Sequence, residues 1–157
     1  YQIHISVAKT SLLHLIKTYT KNYNTTLRLP EEKNQLISEA SYALSKNGTI
    51  NLELALSGVP QITCYNLSTV ERFIFQYLFS LHLTHYSLPN IILKKRIIPE
   101  LIGPFCNIGN IRKELSILIN DSYVKETMIG DYKQLTTHLK NSESRNGSEI
   151  LEKQVYH

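Results

Sequence analysis

Tryptophan is absent from this chain of 157 residues, and cysteine, methionine, glycine and proline are scarce, at two, one, six and five residues. The cysteines, Cys64 and Cys106, form no C-x-x-C pair, which argues against a disulfide framework or a cysteine zinc cluster and points to a reducing compartment. His4, His14, His82, His85 and His138 have no histidine partner four residues away and no cysteine at ligand spacing. They read as surface or packed residues, with no metal site indicated. No D-x-D pair is present to hold a cation. Long basic tracts are missing as well. The densest group, Lys94-Lys95-Arg96, is too short for a nucleic-acid track and suits a solvated turn. The chain opens on Tyr1 and enters a strand-like run at once, with no segment that resembles a signal peptide, a pattern expected of a piece cut from a longer protein. N-x-[ST] triplets begin at Asn24, Asn47, Asn66, Asn120 and Asn146, a number expected by chance in an asparagine-rich chain without a secretion signal.

What is present is a chain 42% hydrophobic and 19% charged, enough to bury one ordinary globular core. A net charge of +4 favours an anionic partner: a nucleic acid, an acidic lipid surface or a phosphorylated small molecule.

Strand-like and helix-period segments alternate. Residues 3–8 read as a strand, and Leu12, Leu13, Leu15, Ile16 and Tyr19 share one face of a following helix. Residues 26–29 form a short second strand. Pro30 and Glu31-Glu32 suit the first turn of a helix to about residue 40. A strand over 42–45, a helix over 49–56, the turn Ser57-Gly58-Val59-Pro60 and a strand over 61–65 repeat the unit. Strands separated by single helices and short connections predict a parallel sheet with right-handed crossovers, a Rossmann-like α/β domain with helices on both faces. Residues 69–83 hold helical spacing with apolar residues nearly all round, which suits a core helix or a homodimer interface, with acyl chains or a membrane surface as the other partner. Two helices are expected over 110–118 and 123–139. The domain is therefore read as residues 1–140, followed by a polar, flexible tail over 141–157.

The chemistry concentrates in Ser45-Lys46-Asn47-Gly48-Thr49-Ile50-Asn51-Leu52-Glu53. A strand ends, Gly48 lets backbone approach a ligand, and a helix begins near Thr49 with unpaired N–H groups and a dipole that favour phosphate. Glu53 lies one turn deeper on the same face, roughly 6 Å along the axis, a distance suited to ribose hydroxyls when a diphosphate sits at the helix end. His82 and His85 border the same region, and Glu100 reads equally as a residue behind the site or as a helix-start acid.

The G-T-x-x-x-E block is joined by Gly58-Val59-Pro60-Gln61, then Tyr86-Ser87-Leu88-Pro89-Asn90-Ile91-Ile92-Leu93, then Ile98-Pro99-Glu100-Leu101. Together these blocks resemble the lipid-A-disaccharide synthase family over nearly the whole chain to about residue 140. The resemblance implies the C-terminal half of a two-Rossmann-domain glycosyltransferase acting at the cytoplasmic surface of the inner membrane. Its donor is UDP-2,3-diacylglucosamine and its acceptor 2,3-diacylglucosamine 1-phosphate, joined with inversion and without a cofactor or metal. Carried over, Gly48 and Thr49 face the diphosphate, Glu53 the ribose, and Asn90 is the catalytic-site residue of the S-L-P-N block. Two features depart from the family. Asn47 replaces the serine common before the Gly-Thr pair, and both the N-terminal domain with its general-base carboxylate and the P-G-S-R segment are missing. The alternatives are another UDP-sugar glycosyltransferase or epimerase of the same architecture, which need not carry S-L-P-N and P-E-L at these intervals, and a basic nucleic-acid-binding domain, which calls for clustered cations and exposed aromatics.

Overall fold

The computed structural model describes the backbone of residues 1–66 and 84–155, and side chains over the same ranges as far as residue 142. The helix expected over 69–83 lies outside the described residues. The chain divides into two compact units, Tyr1–Ser41 and Tyr42–His157.

In the first unit β1 (Ile3–Ser6) pairs in parallel with β2 (Thr25–Arg28), with Ile3 opposite Thr25 and Ser6 opposite Arg28. Parallel pairing demands a crossover, and a 3-10 turn at Thr10–Leu12 leading into α1 (Leu13–Thr20) supplies it. After β2, Pro30 opens a second 3-10 turn that runs into α2 (Lys33–Glu39). There the fixed proline φ and absent N–H carry no penalty. Glu32 Oε2 accepts the Leu29 N–H at 2.8 Å, reaching back over the turn as the acid of a capping box does. Arg28 gathers the polar groups of the unit. Its guanidinium donates to His4 Nδ1 at 3.2 Å, Glu32 Oε1 at 3.0 Å and Glu39 Oε2 at 3.0 Å.

The second unit is a three-stranded parallel sheet in the order β3 (Ala43–Lys46), β4 (Gln61–Tyr65), β5 (Glu100–Ile102). Ser45 lies opposite Thr63, and Thr63 opposite Glu100. α3 (Ile50–Leu56) connects β3 to β4. It stops at Gly58, where φ is 72° and the Val59 N–H reaches back to the Leu54 carbonyl at 2.9 Å, the glycine C-terminal motif that turns the chain toward Pro60. α4 (Leu88–Leu93) precedes β5, and α5 (Ile108–Asn120) and α6 (Ser122–Val155) complete the unit. The sequence did not single out α4 or β5 as elements. The terminal helices run longer than the periodic stretches that predicted them, because α6 carries its helical backbone through the polar region to Val155.

Met128, Tyr132 and Leu135 of α6 fall at successive turns and close over Ile62, Ile98, Leu101 and Leu118. Burying each such aliphatic side chain contributes about 1.5–3 kcal/mol. Asp131, on the same helix and nearly buried, receives Lys95 Nζ at 2.8 Å, which ties the turn after α4 to α6.

Candidate functional site

Parallel α/β sheets bind ligands beyond the carboxyl ends of their strands, where the loops into the helices begin. In the second unit that edge carries Lys46 at the end of β3, Asn47 and Gly48 after it, and Tyr65 at the end of β4. Beneath the β3–α3 loop lies a buried polar network. Asn51, fully enclosed, donates from Nδ2 to Ser45 Oγ at 2.7 Å and Gln61 Oε1 at 2.9 Å. Its Oδ1 accepts the Gly48 N–H at 2.9 Å, and its backbone carbonyl accepts Gln61 Nε2 at 2.8 Å. Side-chain groups at this depth are costly unless paired, so the network fixes the loop as firmly as an apolar contact would.

That network changes the expected arrangement of amides. The Gly48 N–H, expected to point at an anion, is occupied by Asn51. Thr49 starts the helix without a side-chain cap, and among the described residues the Thr49 and Ile50 N–H groups have no hydrogen-bond partner. The open donors are therefore shifted one residue along. Gly48 is exposed, its φ is 157°, and a Cβ there would meet nothing within 4 Å, so the space beside its backbone is open. Glu53, half-buried, follows one turn later, its N–H bonded to the Thr49 carbonyl at 3.2 Å. Lys46 brings a cation to the same edge, 5.3 Å from the centre of the Tyr65 ring.

The S-L-P-N block forms the start of a helix. Ser87 stands at the N-cap position of α4 without a side-chain cap bond, and Pro89 sits in the first turn. Asn90 is fully buried. Its Oδ1 accepts the N–H groups of Ile97 at 2.8 Å and Ile98 at 3.0 Å, and its Nδ2 donates to the Ile98 carbonyl at 2.9 Å. The carboxamide of Asn90, the residue expected at the catalytic site, holds the turn between α4 and β5. Glu100 is a β5 residue, not a helix-start acid in its own segment. Its Oε1 accepts the N–H of Tyr86 at 3.0 Å and of Ser87 at 2.6 Å, so in space it stands at the start of α4. Asn47, where the family commonly has serine, does not cap α3; its Nδ2 donates to the Tyr86 carbonyl at 3.2 Å.

Cys64 and Cys106 are free thiols, and burial pushes the Cys64 thiol up to about 12, with the neighbouring Cys106 adding to the shift. His85 is half-buried in the segment before Ser87, His4 is engaged by Arg28 in the first unit, and His82 lies outside the described residues. Gly48, Thr49 and Glu53 do come together on one loop and helix turn, as their spacing predicts. The Ser45, Asn51 and Gln61 network went unseen in the sequence, because its members come from two strands and a helix that meet only in the fold.

Residues 1–155 match the family model described as lipid-A-disaccharide synthetase. A lipid-A-disaccharide synthase of Synechocystis sp. is 36% identical over 124 residues, which cover 76% of this chain and 31% of the relative. That of Prochlorococcus marinus is 32% identical over 105 residues, covering 67% of this chain and 27% of the relative. That of Chlamydia trachomatis is 46% identical over 69 residues, 44% of this chain and 11% of the relative. This chain therefore spans about a third or less of the length of the curated relatives it matches. On the family match over nearly its whole length, this chain belongs to the lipid-A-disaccharide synthase family.

Proposed function

We propose that this chain is the donor-binding part of an inverting glycosyltransferase, a lipid-A-disaccharide synthase. In the proposed reaction a hydroxyl of 2,3-diacylglucosamine 1-phosphate attacks the anomeric carbon of UDP-2,3-diacylglucosamine. The new glycosidic bond forms as the bond to the diphosphate breaks, and UDP leaves with the electron pair. The observation that carries this reading is the family match over residues 1–155, and the helix start with open Thr49 and Ile50 amides gives it a chemical locus.

On this reading the Thr49 and Ile50 amides, with the exposed Gly48 backbone beside them, meet the charge that develops on departing UDP. Fixed donors need no reorganisation as that charge grows. Glu53 accepts from the ribose one turn deeper. Lys46 adds positive potential at the same edge. Asn90 acts on the site through the turn it holds, as a positioning residue. General-base removal of the acceptor proton, worth on the order of 10²–10⁴-fold, falls to a carboxylate of the remaining enzyme, so this chain alone binds donor without turning it over. Among the described residues no helix is long and apolar enough to cross a membrane. We place the reaction at the cytoplasmic surface of the inner membrane because both substrates carry acyl chains. Phe105 and Ile108, 63% and 76% exposed in the second unit, offer apolar contacts there.

Calorimetric titration of UDP into the chain tests the assignment. Glu53→Ala is expected to weaken binding by about tenfold, the loss of a hydrogen bond to a charged group, while Glu126→Ala, an exposed change on α6, leaves it intact. Equal losses in the two variants would remove Glu53 from the ribose.

A further inference from the structure

The peptide group joining Tyr86 to Ser87 is held at both ends. Its carbonyl accepts Asn47 Nδ2 at 3.2 Å, and its N–H donates to Glu100 Oε1 at 2.6 Å. The same carboxylate oxygen also accepts the Tyr86 N–H at 3.0 Å. A chain of bonds thus runs from the β3–α3 loop, through one peptide group, to β5. A carboxylate at one end and an amide donor at the other polarise the peptide in the same sense, so each bond strengthens its neighbour. The loop needs such a hold from above. Thr49 receives no cap and Gly48 stands in open space, while Asn51 secures the loop only from below.

We propose that Asn47 and Glu100 are positioning residues that act as a pair: through the Tyr86–Ser87 peptide they set the open amides of the β3–α3 loop against the start of α4, and so fix where the donor diphosphate sits. This rests on the donor-site reading above and adds two residues to it. Glu100 touches no phosphate in this scheme. Its charge is turned toward two backbone N–H groups, and with that charge occupied a carboxylate is tolerated near an anion site.

Because both residues act through one peptide, breaking either end releases the same link. The test is a double-mutant cycle on the full chain with UDP as probe. Asn47→Ala and Glu100→Ala are each expected to weaken UDP binding by about tenfold, and the double variant by about tenfold as well, the non-additivity of one shared network. Glu100→Gln keeps an acceptor oxygen and is expected to bind within about threefold of the parent. Losses that multiply in the double variant, or single variants that bind like the parent, would overturn the proposal.

Amide hydrogen exchange without ligand separates this proposal from the donor-site reading. Asn47→Ala is expected to speed exchange at the Ser87 N–H, a bond it does not itself make, and Glu100→Ala to speed exchange at the Gly48 N–H. If the parent fails to bind UDP, the donor-site reading falls while the exchange data still decide the coupling. Unchanged exchange at these remote amides overturns it. Should Glu100→Ala not fold, the Asn47→Ala measurement at Ser87 carries the decision.

Discussion

The two units of this chain are built on the same strand–helix–strand pattern but held by different means. In Tyr1–Ser41 the buried residues are Val7 and Ile37, and the organising contact is one guanidinium shared among His4, Glu32 and Glu39. In Tyr42–His157 nine buried residues among those described form a single cluster, and beside it Ser45, Asn51 and Gln61 share one buried hydrogen-bond network. Surface ion pairs are weak and exchangeable with water, whereas a closed core resists any local change. The unit with the core is also the one that carries the open amides, which fits a site that must hold donors in place for charge that appears during reaction.

Removing core from the second unit should cause the largest effect. Leu135→Ala, at a position with no exposure, is expected to cost about 2–5 kcal/mol in denaturant unfolding of that unit. Asn51→Ala comes next, at about 1–3 kcal/mol, because it removes the carboxamide that bonds Ser45 Oγ, Gln61 Oε1 and the Gly48 N–H at once. It should also accelerate exchange of the Gly48 amide, and unaltered exchange there would separate the loop from the network. Arg28→Ala should cost the first unit less, about 1 kcal/mol or below per ion pair lost, and raise exchange only within residues 1–41. If instead it proves as costly as Leu135→Ala, the contrast between the units fails.

The smallest effect is set by pH. The Cys64 thiol is raised from 9.0 to about 12 by burial, so the native state keeps a proton that the unfolded chain releases. Its stabilising contribution is whole below about pH 9 and is lost as pH climbs toward 12. Burial moves Tyr132 and Tyr86 in the same direction. Stability of the second unit should therefore fall above pH 9, and Cys64→Ala should flatten that fall in an alkaline melting series.

The same contrast marks what the sequence revealed. β4 was read at Gln61–Tyr65 because Ile62, Thr63 and Tyr65 favour strands and follow a Gly-Val-Pro turn, and that turn was legible because only glycine takes the Gly58 φ of 72° at little cost. β5 was missed: three residues behind Pro99 are too few to show a period. α4, six residues with proline in its first turn, is equally short of a helical repeat. Gly48, Thr49 and Glu53 were found because a helix end is a local feature. The occupation of the Gly48 amide and the enclosure of Asn90 were not, since both depend on which segments meet in space, and hydropathy patterns carry no mark of a buried polar partner.

Amide chemical-shift mapping with UDP tests the central claim most directly. Binding is predicted to move the Thr49, Ile50 and Glu53 resonances first, with smaller shifts at Gly48 and Ser87. Shifts confined to α5 and α6, with the β3–α3 loop silent at saturating UDP, would contradict it.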